Sequence, residues 1–161
     1  MKKMLAVLLA LSHNVSAADC FDLAGQAYRI DSDLLRSISF RESSFNPRAL
    51  NVVSETKYAV GLMQIHSNNF PHLAQFGITP TVLYNDPCMN IYTGAYYLAI
   101  AIKRLGYNWE AVGAFYAGFE KSPEQAAKRK WYADRVRETY EQIKNKKGPI
   151  TGAKGQQGKL N

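Results

Sequence analysis

The chain has 161 residues, 47% of them apolar, and a formal net charge of +7. That length suits one domain with a sizeable core, and the composition excludes a disordered or collagen-like chain. The charge is confined to the ends. Lys2 and Lys3, with Lys144, Lys146, Lys147, Lys154 and Lys159, account for all of the +7, so the segment 19–143 is neutral and argues against a nucleic-acid-binding face.

Residues 1–18 read as a secretory signal peptide. Lys2 and Lys3 give a positive start and Met4 to Leu11 a short apolar core. Val15-Ser16-Ala17 or Ser16-Ala17-Ala18 offers the small residues a signal peptidase needs. The apolar run is too short for a stable membrane span. Asp19 stands before Cys20, where a lipoprotein would carry a small residue, so a lipid anchor is not expected. Export places the mature domain, 19–143, in the periplasm. Its two cysteines, Cys20 and Cys88, are then expected to form one disulfide, the alternative being two separate thiols. In the chain-entropy picture such a bridge contributes roughly 4 kcal/mol.

Within the domain, residues 20–29 carry Phe21, Ala24 and Tyr28 on one helical line. A second helix is predicted from about Asp33 to Glu42, with Asp31 or Ser32 as N-cap, ended by Asn46-Pro47. Residues 48–60 lack a clear period and read as a loop or a short hairpin. Gly61 to Ile65 should form a compact turn or short helix with Leu62 and Ile65 inward, and Pro71, Gly77 and Pro80 punctuate short helices. Asp86-Pro87 starts a long helix whose stripe is Ile91, Ala95, Leu98 and Ile102, ending near Leu105 at Gly106. Trp109 to Ala117 forms another, closed by Gly118. The last begins at the capping box Ser122-Pro123-Glu124-Gln125 and runs to about Ile143, with Trp131, Tyr132, Val136, Tyr140 and Ile143 as core or groove candidates. The chain is therefore mostly α, a single helical domain. Residues 144–161 form a basic tail expected to be disordered.

One position carries the chemistry. Leu34, Leu35 and Ile38 share a helical face with Glu42, so a stripe that should bury ends in a carboxylate. Sheltering a carboxyl raises its pKa, and a carboxyl that holds its proton near neutral pH suits a general acid. The ordinary alternative is a solvated residue, or one paired with Arg41 or Arg48. No convincing second carboxylate accompanies Glu42. Glu55 and Asp86 are candidates by position, and Asp86 is better explained as a helix cap. His66 and His72 lack paired ligands at metal-site spacing, so neither a metal nor another cofactor is expected.

Four motifs stand in order. They are Glu42-Ser43-Ser44-Phe45-Asn46-Pro47, Gly61-Leu62-Met63-Gln64-Ile65, Ala114-Phe115-Tyr116-Ala117-Gly118 and Tyr132-Ala133-Asp134-Arg135-Val136. Together they resemble the lytic transglycosylase family, lysozyme-like enzymes related to goose-type lysozyme, over roughly residues 20 to 141. The compact size resembles the specialised members of secretion, conjugation and pilus systems. The resemblance implies a lysozyme-like helical domain with a groove, and makes Glu42 the sole catalytic carboxylate. It implies that Ser43, Met63, Gln64, Phe115, Tyr116 and Tyr132 contact or flank bound sugar. It also implies cleavage of the MurNAc–GlcNAc β-1,4 bond of peptidoglycan without water, giving 1,6-anhydro ends, with glycan strands and secretion or pilus components as partners. The chain departs from the family at Phe115 and Tyr116, where Tyr and Asn are common, and at Tyr58-Ala59-Val60 before the glycine motif. A hydrolysing lysozyme, or a non-catalytic wall-binding module, are the competing readings.

Overall fold

A computed structural model describes the backbone of residues 17–147 and the side chains of residues 20–146. The signal-peptide expectation and that for the tail beyond Lys147 lie outside the described residues. The elements are α1 (Ala17–Tyr28), α2 (Ser32–Ser43), β1 (Leu50–Ser54), β2 (Lys57–Val60), β3 (Ile65–His66), a 3₁₀ turn (Ser67–Asn69), α3 (Phe70–Ala74), α4 (Pro80–Asn85), α5 (Pro87–Leu105), α6 (Trp109–Ala117) and α7 (Pro123–Lys147). The domain is mostly helical with one small sheet, as the sequence leads one to expect. No described helix is long and apolar enough to cross a membrane.

Local chemistry accounts for the helix boundaries. The Asp31 side chain accepts from the backbone N–H of Asp33 and opens α2. The helix closes at Ser44, which adopts a left-handed φ of 52°, and Phe45 follows at 62°. Two successive non-glycine residues in this region turn the chain sharply just after Glu42. Asp86 caps α5 through Met89 N–H with Pro87 in its first turn, and Ser122 caps α7 through Gln125 N–H. α7 extends past Ile143, the predicted end, because Lys144 reaches the carboxylates of Asp31 (2.8 Å) and Asp33 (3.1 Å) at the start of α2.

The core joins Leu34, Leu35 and Ile38 of α2 to Ile91, Ala95 and Leu98 of α5, Val112 of α6 and Val136 of α7. All three α2 residues are fully buried, and each such side chain contributes about 1.5–3 kcal/mol. Cys20 and Cys88 form a disulfide with Cα atoms 5.4 Å apart, tying α1 to the first turn of α5. Trp131, a candidate for the core or the groove, is 52% exposed.

Residues 50–60 form the hairpin. β1 and β2 pair antiparallel with Leu50 opposite Val60 and Asn51 opposite Ala59, and the register breaks between Val52 and Ser54. β3, which the sequence did not suggest, adds to β2 with Val60 opposite Ile65. The sheet forms one wall of a groove and the helices α5 and α6 the other.

Candidate active site

The groove has a volume of about 560 Å³. Glu42, at the end of α2, opens into it between Asn51, Gln64 and Ile65 of the sheet side and Ala114, Phe115 and Tyr116 of α6. Among the described lining residues Glu42 is the only carboxylate. Its side chain is half-buried, and the shelter of the core pushes its pKa up from 4.5 to about 7, against the opposing effect of a hydrogen bond from Tyr132. Near neutral pH this carboxyl can therefore both give and take a proton.

Tyr132 sits behind Glu42. It is 4% exposed, and its hydroxyl donates a hydrogen bond to Glu42 Oε1. Burial, then the charge and hydrogen bond of Glu42, hold the phenol's pKa well above its usual value, so it acts as a neutral donor. Tyr116 covers the Tyr132 ring with centroids 4.8 Å apart and planes 4° from parallel. Tyr132 therefore supports Glu42 from behind, and it is not among the residues that line the groove. The phenol is drawn inward because the sheltered carboxyl needs a donor.

The Gly61–Ile65 turn is braced from two sides. Gly61 has φ +79°, and a Cβ there would meet Asn90 Nδ2 at 2.1 Å, so only glycine fits. Asn90, fully buried on α5, accepts from Met63 N–H (2.8 Å) and donates to the carbonyls of Val60 (2.9 Å) and Leu83 (3.1 Å). From α2, the hydroxyls of Ser39 and Ser43 donate to the Leu62 carbonyl at 3.2 and 2.9 Å. Ser43 thus faces the backbone of the turn, and it does not line the groove. Met63 does not line it either. Its side chain is fully buried, packed so tightly on Gly94 that a Cβ there would meet it at 2.7 Å. The turn thus has an anchor in Ser43 and a filler beneath it in Met63.

Gln64 does line the groove. It adopts φ +48°, and its Nε2 donates to the carbonyls of Gly61 (2.9 Å) and Ala49 (3.2 Å), which ties the turn to the loop before β1. Phe115 and Tyr116 also line it, Phe115 packed partly on the core and Tyr116 53% exposed. Neither Glu55 nor Asp86 does: Glu55 is exposed in the β1–β2 turn, and Asp86 is the cap of α5. Sequence reasoning missed Asn51, His66, Asn68 and Asn69 on the sheet side and Tyr97 on α5. The run of small polar residues after Ile65 is the one local signal that marks them; Tyr97 shows only in the fold, through a buried hydroxyl with no hydrogen-bond partner.

The profile of the transglycosylase SLT domain matches residues 19–137. The chain belongs to the SLT lytic transglycosylase family. As such it is a peptidoglycan lytic transglycosylase, and the four motifs above lie within the matched span or begin in it. Relatives extend the picture. The transglycosylase is 53% identical over 150 residues to X polypeptide of Escherichia coli, covering 92% of this chain and 89% of that one. It is 38% identical over 138 residues to Invasion protein IagB of Salmonella typhimurium, covering 86% and 85%. In fold it matches an inactive glutamate-to-glutamine mutant of lytic transglycosylase Slt from Pseudomonas aeruginosa, with a TM-score of 0.61 and 20% identity. That match covers 86% of this transglycosylase and 24% of Slt, so it spans about a quarter of the larger chain.

Proposed function

We propose that this transglycosylase cleaves the MurNAc–GlcNAc β-1,4 bond with Glu42 as its single acid and base, and leaves 1,6-anhydro-MurNAc ends. Glu42 in its protonated form gives its proton to the glycosidic oxygen as the C1–O bond breaks, and the GlcNAc-bearing fragment leaves as an alcohol. The carbonyl oxygen of the MurNAc N-acetyl group stabilises the cationic C1. The Glu42 carboxylate then takes the proton of the sugar's own 6-hydroxyl as O6 bonds to C1. Bond count and charge close without water, and Glu42 ends protonated again.

The observation that carries this reading is a lone groove carboxyl whose pKa stands at about 7. A two-carboxylate hydrolase needs a partner group within the groove, and neither Glu55 nor Asp86 offers one. Gln64, Phe115 and Tyr116 are the groove residues proposed to hold the sugars. The site of action we propose is the periplasm, and a disulfide-bonded domain acting on peptidoglycan suits it. The compact size and the relative named as an invasion protein support local wall opening for an envelope-spanning secretion, conjugation or pilus machine.

The test is digestion of purified peptidoglycan by the parent protein and Glu42→Gln, with product masses recorded. Anhydro ends, lighter by one water than reducing ends, are expected from the parent and none from the variant. Reducing ends would instead assign hydrolysis, and wall-dependent function that survives Glu42→Gln would assign a non-catalytic module.

A further inference from the structure

Beside Tyr116, a ring of the groove, stands Trp131, which the catalytic reading leaves unused. Trp131 precedes Tyr132 on α7 and stands beside Tyr116, with centroids 5.8 Å apart and planes at 51°. Tyr116 is 53% and Trp131 52% exposed, with Tyr116 resting one face on the buried Tyr132. Two large aromatic side chains held half open side by side are unusual, because each has a large apolar area to bury. The indole is also held in place. Arg135, one turn further along α7, sets its guanidinium 5.2 Å from the Trp131 ring centre. Tyr116 lines the groove, and Trp131 stands against Tyr116 just outside that lining.

We propose that Tyr116 and Trp131 form an aromatic shelf that binds a further pyranose ring of the glycan strand, outside the bond being cleaved. β-1,4-linked amino sugars carry their ring substituents equatorially. Their axial C–H bonds therefore present an apolar face, which suits the electron-rich face of an indole or phenol. The shelf adds affinity and strand registration without touching the reacting atoms. It rests on the reading of the groove as a glycan site, and it would serve a non-catalytic glycan binder equally well.

The test separates the two. Chitohexaose, a β-1,4-linked N-acetylglucosamine oligomer, is titrated calorimetrically into the Glu42→Gln protein with and without Trp131→Ala or Trp131→Phe. Trp131→Ala should weaken binding by about fivefold, and Trp131→Phe, which keeps a ring, should restore most of it. In the protein with Glu42 intact, Trp131→Ala should raise KM for peptidoglycan by a similar factor and leave kcat within about twofold. Equal affinities with and without the indole would overturn the shelf, as would no binding of the hexamer or an equal loss in Trp131→Phe. Continued cleavage by Glu42→Gln would instead defeat the acid assignment, with the oligomer affinities still deciding the shelf.

Discussion

The hydroxyl of Tyr132 donates to Oε1 of Glu42 across 90 residues of sequence, joining the middle of α7 to the last turn of α2. Two influences meet at that carboxyl. Burial favours its neutral form and the phenol favours its charged form, and the outcome is a group that titrates at about 7. The clamp around it is reinforced by Arg41, whose Nε donates to the Arg135 carbonyl (2.8 Å) and whose terminal nitrogen meets Glu138 (2.9 Å).

Tyr132→Phe removes the donor that favours the carboxylate, so the Glu42 pKa should rise further above about 7. In the proposed mechanism protonated Glu42 starts the reaction, so activity is expected to fall as pH climbs through its pKa. That limb should therefore move to higher pH in the variant. We expect kcat to drop by roughly tenfold, because the carboxyl also loses its fixed orientation. A pH profile of kcat/KM on soluble glycan strands measures both, and an unmoved limb would mean that the phenol does not govern this group.

Glu42 also makes stability depend on pH in a defined sense. Folded, it binds its proton up to about 7; unfolded, only up to the ordinary 4.5. Between those values the native state holds more protons than the unfolded state, so stability falls as pH rises through the window. The full span is worth on the order of 3 kcal/mol. Glutamine does not titrate. Glu42→Gln should therefore match its parent near pH 4.5 and melt several degrees higher at about pH 8. Scanning calorimetry at the two pH values decides it, and a constant Tm gap would contradict the burial argument.

Asn90 is the strut of the Gly61–Ile65 turn. Asn90→Ala strips partners from Met63 N–H and from the Val60 and Leu83 carbonyls at a fully buried position. The expected loss is about 3–4 kcal/mol in urea unfolding, with a matching fall in glycan cleavage because Gln64 rides on the same turn. Asn90→Asp should fail almost as badly, since a carboxylate can accept from Met63 but cannot donate to the two carbonyls. Near-normal urea stability of either variant would refute the assignment.

Lys144 was expected to begin the tail but closes the domain. Burial works against its charge, yet hydrogen bonds to Asp31 and Asp33 hold its pKa above the usual value. Asp31 and Asp33 are both buried, and although Arg36 still pairs with Asp33, Lys144→Ala takes the Lys144 cation from both and should cost about 1–3 kcal/mol. A chain truncated after Ile143 should lose as much as the point variant, and urea midpoints of the two against the parent compare them directly.

The helices were largely legible because their signals are local. Asp31, Asp86 and Ser122 cap the residues that follow within three positions, and the Leu34–Ile38–Glu42 stripe repeats at the helical period. The sheltered carboxyl was legible for the same reason: a charged group ended a run that had to be buried. The hairpin was only half legible, and β3 not at all, since two residues carry no period.

What the chain determines by itself is thus where helices start and stop, which cysteines can pair, and which side chain is unusual. What only the tertiary structure decides is the company that side chain keeps. Ser43 and Met63 stand in a motif beside the groove, yet one ties down a turn and the other fills the space beneath it. Adjacent residues Trp131 and Tyr132 diverge completely, the indole open to solvent and the phenol sealed against Glu42. Helical period and capping depend on neighbours a few residues away. The direction a ring or hydroxyl takes depends on surfaces brought together from distant parts of the chain, and no spacing along the sequence encodes that distance.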